Sequence, residues 1–347
     1  MTAENSSQGS GPEALKPEEE LRAGRSPLKD AWRQLLRNRL AVASGIFLIL
    51  LTLVAIFVDT SIFTIFTGGK PEPLLAPYHY AEVDFLHPNE GLFTRTEEGD
   101  FYIFGVDYLG RDILSRTLYA ARVSLAVAIV AATVSLIVGI TYGLISGYSS
   151  TRTDNLMMRF VDFLYGFPII IFIILMQVYF KALSRHGGGE GLAGTLINID
   201  RAMGGIFFLF IAIGLLNWLG MARIARGQTL QYKEMEFVEA ARMVGASNWR
   251  IIGRHLLPNI LGPCVVYETL QIPGYIFLEA FLSFIGLGVN PPTPSWGIMI
   301  SETYQALRTY PHEVFVPAVA LTLTTLAFNF LGDGLRDAFD PRLRGEV

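Results

Sequence analysis

The chain has 347 residues, 51% of them hydrophobic and only 17% charged, with a mean hydropathy of +0.41. A soluble domain carries about 25% charge, so the deficit points to a polytopic membrane protein. A net charge of −4 with scattered basic residues gives no reason to expect nucleic-acid binding, and a single cysteine, Cys264, excludes an intramolecular disulfide or a cysteine metal site and reads as apolar packing.

In chain order, residues 1–27 are rich in Ser, Gly, Pro and Glu and are expected to form a disordered tail. No cleavable signal is expected, because the first apolar run starts near Leu40. Lys29, Arg33, Arg37 and Arg39 precede that run, which places the N-terminus in the cytoplasm. Trp32, Leu35 and Leu36 interleave with these charges, so 28–39 reads as an amphipathic helix on the inner membrane surface. Charge-free runs then predict six transmembrane helices: Leu40–Val58, Val123–Gly147, Phe163–Phe180, Ala202–Ala222, Asn259–Gly286 and Val314–Gly332. On this reading 40–122 holds the first helix and a polar outer loop, and 123–340 is a five-helix core with a loop at 228–258. The last segment, 341–347, is a cytoplasmic tail.

Two-thirds of the 27 lysines and arginines fall where this topology is cytoplasmic, while Arg111, Arg116 and Arg122 run against it. Asp107 with Arg111, and Asp112 with Arg116, are spaced i, i+4, so pairing on a helix would neutralise two of the three. No nearby histidine or nucleophile gives these carboxylates a catalytic task. No transporter-half repeat is visible, which argues against many secondary carriers.

Two stretches carry candidate function. In the first, Phe237, Ala240, Ala241 and Val244 share one helical face, and Gly245 suits a left-handed helix end. Ser247 can cap a second short helix and Pro258 suits the first turn of the next long one. Spacing alone leaves two readings open, a solvated loop or two short helices held at the membrane surface. In the second, Glu268, Gln271 and Glu279 interrupt the fifth apolar run on one broad face, with Pro273-Gly274 inviting a kink. Such groups either line a polar path or hydrogen-bond to neighbouring helices. The five histidines show no metal-ligand spacing, and Gly68-Gly-Lys-Pro71 is not a phosphate-binding loop, so catalytic, cofactor and metal sites are not expected. No nucleophile–base pair is recognisable, which leaves an intramembrane protease a weak rival.

Glu239-Ala-Ala, then Gly245, then Leu257-Pro258 resembles the EAA loop of binding-protein-dependent ABC importers, where the permease meets its ATPase. His255-Leu-Leu-Pro-Asn259 resembles the oligopeptide, dipeptide and nickel branch, with His255 where an aliphatic residue is usual. Gly105-Val-Asp…Gly-Arg-Asp112 is similar to the segment preceding the second helix there, with Val106 for the usual Thr. Leu282–Gly288 with Pro291–Gly297, and Gly332–Arg342, match the same branch in order; Trp296 is expected at the outer interface. The tail and the loop 59–100 lack a recognisable counterpart.

The resemblance implies an all-α, polytopic membrane protein of six transmembrane helices with the ABC importer permease fold, cytoplasmic coupling helices and both termini inside a bacterial inner membrane. It implies an ATPase-coupling contact from Glu239, Ala240, Ala241, Gly245, Ala246, His255, Leu257 and Pro258. Apart from the resemblance, membrane-depth polarity makes Glu268, Gln271 and Glu279 the candidates to line a path, with bonds to other helices as the alternative. The implied partners are a second, non-identical permease subunit, two ATPase subunits that bind ATP and Mg, an external substrate-binding protein and membrane lipid. Oligopeptides or dipeptides lead as solutes; nickel chelates or other small solutes, an ATP-independent carrier and a purely structural or receptor subunit remain as alternatives.

Overall fold

The computed structural model of the chain describes residues 27–61, 64, 71–97, 99–185 and 191–339. The readings made for the N-tail over 1–26, for Gly68–Lys70, for His186 and for the C-tail 341–347 lie outside the described residues. Helix α1 (Pro27–Arg37) leads into α2 (Arg39–Phe57), and an antiparallel pair, β1 (Thr94–Arg95) with β2 (Phe101–Tyr102), sits in the loop that follows. Then come α3 (Ile113–Tyr148), α4 (Thr151–Tyr165), α5 (Ile169–Arg185), α6 (Leu192–Ala202) and α7 (Phe207–Tyr232). The short α8 (Glu236–Met243) and α9 (Asn248–Ile251) precede α10 (Leu257–Phe284), α11 (Trp296–Thr303) and α12 (Pro311–Phe339). The all-helical class holds; the two-residue ladder is local.

The boundaries differ from the charge-free runs for identifiable reasons. α3 starts ten residues early because Asp112 takes an extended N-cap conformation and accepts from the Ser115 N–H at 2.7 Å. The third apolar run is broken: α4 and α5 meet at 72° across Gly166-Phe167-Pro168, where proline disfavours a helical neighbour and lacks a donor. The fourth run starts only at Phe207, after a turn at Gly204-Gly205, and α7 continues to Tyr232. By length and composition four helices can cross a membrane, α2, α3, α7 and α12, or five with the bent α4–α5 pair. α10, at 28 residues, is long enough for a sixth, and its glutamates, glutamine and prolines lower its hydropathy. A six-span count is therefore compatible with these helices.

The core runs through α3, α7, α10, α11 and α12, with Ala120, Ala128, Leu209, Ile213, Ile276 and Trp296 buried in one cluster. α3 and α7 form the most extensive contact. Gly139, Gly143 and Gly147 repeat every four residues along α3 and let α7 approach: a Cβ at Gly143 would stand 2.5 Å from the Ala222 carbonyl oxygen and 2.6 Å from the Ala225 Cβ. Trp296 is fully buried, not at an interface as expected. Its side chain lines an apolar cavity with residues of α2, α3 and α12, and its indole N–H donates to the Thr117 carbonyl at 3.2 Å, so burial leaves no polar atom unpaired.

The three arginines that run against the topology are all paired. Arg111 binds Asp107 at 2.7 Å and Glu302 at 2.8 Å, and Arg116 bridges the same two carboxylates. The expected Asp112–Arg116 pair does not form, because Asp112 is committed to its helix cap and Arg116 reaches Asp107 and Glu302 instead. The Asp107–Arg111 pair forms in the turn before α3, not on a helix. Arg122 binds Asp59 at 2.8 Å and donates to the Ala55 and Ile56 carbonyls at the end of α2, where a cation complements the helix dipole.

Candidate functional site

The segment from Glu236 to Pro258 folds as two short helices. α8 ends in a Schellman turn: the Ala246 N–H donates to the Ala241 carbonyl at 3.0 Å and the Gly245 N–H to the Arg242 carbonyl at 2.9 Å. Gly245 sits at φ +87°, where a side chain would be strained. Ser247 occupies the N-cap of α9 with extended backbone, yet its hydroxyl makes no cap bond. A π turn over Ile252–Leu256 then joins α9 to α10, with Pro258 in the first turn as expected.

The face that is buried is not the apolar stripe of Phe237, Ala240, Ala241 and Val244. Val238 and Ile251 are the anchors, fully buried with Ile140, Leu144, Met221, Leu256 and Ile260 in a cluster shared by α3, α7 and α10. Of the predicted stripe, Ala241 packs partly against this cluster, while Phe237 is 40% and Val244 89% exposed. Met243 at 84% and Trp249 at 73% extend that exposed apolar surface, and neither was singled out from sequence. The stripe was legible as apolar, but its orientation depends on where Val238 inserts, which no local pattern encodes.

Polar contacts tie the pair of helices to α3 and brace the helix ends beside it. Tyr148 at the end of α3 donates to Asn248 Oδ1 at 3.2 Å, and its ring lies 5.4 Å from the Arg242 guanidinium. Lys233 donates to the Gly147 carbonyl at 3.2 Å. Asp154 of α4 takes a bidentate bond from Arg226 of α7, 2.6 Å for each contact, and accepts from Ser146. Glu239, Ala240, Gly245 and Pro258 are exposed, Ala246 and Leu257 half-buried. His255 is half-buried, with its ring 6.5 Å from that of Phe237. Glu239 makes no ion pair among the described residues. The surface offers a carboxylate, small residues and unsatisfied apolar area, the ingredients of a protein contact.

Glu268 and Glu279 are buried and Gln271 half-buried on α10. Glu268 accepts from Ser135 of α3 at 2.8 Å and from Tyr275 at 2.7 Å; Glu279 accepts from Ser124 of α3 at 2.8 Å and from Ser283 at 2.6 Å. Ser135 opens a π turn inside α3, which re-aims its side chain toward α10. The structure brings the two glutamates to the α3–α10 seam and gives each carboxylate oxygen a partner, while Gln271 is half-buried on the same helix. Glu302, which joins Arg111 and Arg116 across 191 and 186 residues, had no local sequence signal.

Known proteins share this arrangement in sequence. Residues 139–345, which include α8, α9 and α10, match the family described as the binding-protein-dependent transport system inner membrane component. Residues 26–91 match the N-terminal transmembrane domain of oligopeptide transport permease C. The oligopeptide transport system permease protein OppC of Haemophilus influenzae is 42% identical, over 92% of this chain and 90% of its own. The dipeptide permease protein DppC of Bacillus subtilis is 38% identical over 91% and 86%, and the glutathione permease protein GsiD of Pectobacterium atrosepticum 36% over 92% and 93%. A solved inward-facing MetNI methionine ABC transporter aligns over 65% of this chain and 97% of its own at 15% identity and a TM-score of 0.47, too remote to add to this. With matches spanning the loop pair, the core and the lead-in helix alike, the chain belongs to the inner membrane components of binding-protein-dependent transport systems.

Proposed function

We propose that this chain is a permease subunit of an ATP-driven importer that carries oligopeptides or dipeptides across the inner membrane. The solute follows the relatives whose names specify oligopeptides and dipeptides. Six spans put both termini and the α8–α9 pair in the cytoplasm, which the lysine and arginine bias supports. The partners are a second, non-identical permease subunit, two ATPase subunits that bind the nucleotide and Mg, and an external binding protein.

The observation that carries the coupling role is the exposed rim of Phe237, Met243, Val244 and Trp249 on helices whose other side is anchored by Val238 and Ile251. A force applied to that rim reaches α3, α7 and α10 through one packed cluster and through the Tyr148–Asn248 bond. Closure of the ATPases would push it and tilt these helices in an alternating-access cycle. Glu239, Ala240, Ala241, Gly245 and Ala246 form the contact, the alanines permitting close approach, with His255, Leu257 and Pro258 directing the chain back into α10. Co-purification of the ATPase subunits with Val244→Asp/Trp249→Asp, and labelled-peptide uptake in vesicles, test this. Lost co-purification with normal membrane insertion is expected; intact coupling sinks the proposal.

The bonds of Glu268 and Glu279 favour an interhelical clamp over a path lining, since both oxygens of each carboxylate already have partners. Glu268→Ala should then impair assembly and transport together. Loss of uptake in a normally assembled complex would restore the path reading.

A further inference from the structure

The α1 end of the bundle carries a second surface, built from residues other than those of the coupling rim. Asn38, with extended backbone, separates α1 from α2 and caps α2 by accepting from the Ala41 N–H at 3.1 Å. Ala31 and Leu35 bury one side of α1 against Leu335, Ala338 and Phe339 of α12. The approach is close: a Cβ at Gly334 would lie 2.3 Å from the Ala41 Cβ. The α1–α2 junction is thus held on α12.

Around α1 at 100° per residue, the buried pair is followed by Trp32 and Leu36, both exposed, and then by Arg33 and Arg37. Arg39 opens α2 immediately beyond. Between α1, α2 and α12 runs a groove of about 630 Å³, lined by Trp32, Leu36, Val42, Ile46, Phe328 and Leu331 among others. Thr52 is the one polar residue in its lining, and its hydroxyl is satisfied by the Leu48 carbonyl at 2.7 Å. Apart from the Trp32 indole N–H at its edge, the lining offers a ligand no free polar side chain, so the groove suits an apolar chain. Arg33, Arg37 and Arg39 are exposed, and none makes an ion pair among the described residues.

We infer that this groove binds one acyl chain of an anionic phospholipid whose phosphate rests on Arg33, Arg37 and Arg39. Charge decides between occupants: Arg33 and Arg37 neighbour the groove-lining Trp32 and Leu36 around α1 and Arg39 opens α2, so exposed cations flank an apolar groove, which an anionic phospholipid matches in both parts and an apolar partner helix in only one. Trp32 then lies at headgroup level, where an indole is favoured. The site pins the lead-in helix to the membrane surface while the core moves. It rests on the proposed cytoplasmic placement of this end and not on the solute carried, so lipid retention and peptide uptake fail separately.

The test uses the full importer complex in nanodiscs of equal phosphatidylglycerol and phosphatidylcholine, with lipids retained after release counted by native mass spectrometry. Phosphatidylglycerol should be retained preferentially. Arg33→Gln/Arg37→Gln/Arg39→Gln should lower that retention on the order of 100-fold, at about fivefold per arginine near an anionic surface. Ile46 is exposed and touches no core cluster, so Ile46→Trp should narrow the groove and reduce retention with assembly unchanged. Equal retention of both lipids overturns the inference, as does wild-type retention in either variant, or cross-linking that seats a partner permease helix in the groove.

Discussion

At one end of the molecule charge is buried, and at the other apolar surface is exposed. Before α3, Asp107, Arg111 and Arg116 lie within the protein and close a network with Glu302 on α11. Beyond α7, Phe237, Met243, Val244 and Trp249 stand in the open on two short helices. Buried charge is tolerable only when its partners are present, and this chain supplies them to Asp107, Arg111 and Glu302, while Arg116 Nε and the nearby Glu313 carboxylate stay unbonded among the described residues. Exposed clustered apolar groups gain nothing from this chain, so the second is complete only with another protein. One end is built for integrity, and the other for contact.

Arg116→Ala should break the first region hardest. It leaves Asp107 and Glu302 with one cation for two carboxylates, a loss of about 3–5 kcal/mol for a buried pair, read as a lowered unfolding midpoint in detergent. An unchanged midpoint would mean the network is incidental. Gly143→Leu attacks the frame that joins the two regions, since α7 leaves no room there, and should cost about 1–3 kcal/mol or more by the same measurement. Val244→Asp/Trp249→Asp is the counterpart at the other end: its unfolding midpoint should match wild type within about 0.5 kcal/mol, because both side chains are exposed. A large destabilisation would show that the rim serves folding.

The smallest effect is in the loop before α3. Burial pushes the Asp84 carboxyl up, but bonds from His87, the Leu86 N–H and Tyr102 outweigh it and hold the group below the usual carboxylate range. A lowered value stabilises above the ordinary pKa of about 3.9 and loses that contribution as pH falls through the folded value. Exchange protection of the Leu86 amide should therefore persist at neutral pH and fade only below about pH 4. Protection lost near pH 6 would assign the turn to the histidine instead.

The sequence by itself determined the class, the apolar segments, the Gly245 turn and the place of Pro258, because each rests on local rules of hydropathy and backbone geometry. The breaks at Pro168 and Gly204-Gly205 were present in the sequence too, but counting charge-free runs passed over them. Tertiary structure alone decided the remainder. Asp112 was spaced to pair with Arg116 and instead capped its helix, since Glu302 arrives from 186 residues away to take the arginine. Trp296 carried the composition of an interface residue and became core, because Thr117 offers its N–H a carbonyl inside. Glu268 and Glu279 were visible as polar interruptions, yet that they clasp α3 follows only from the approach of Ser124 and Ser135. Local rules specify what a segment can be; which face it buries, and which charge it meets, is set by neighbours far away in the chain.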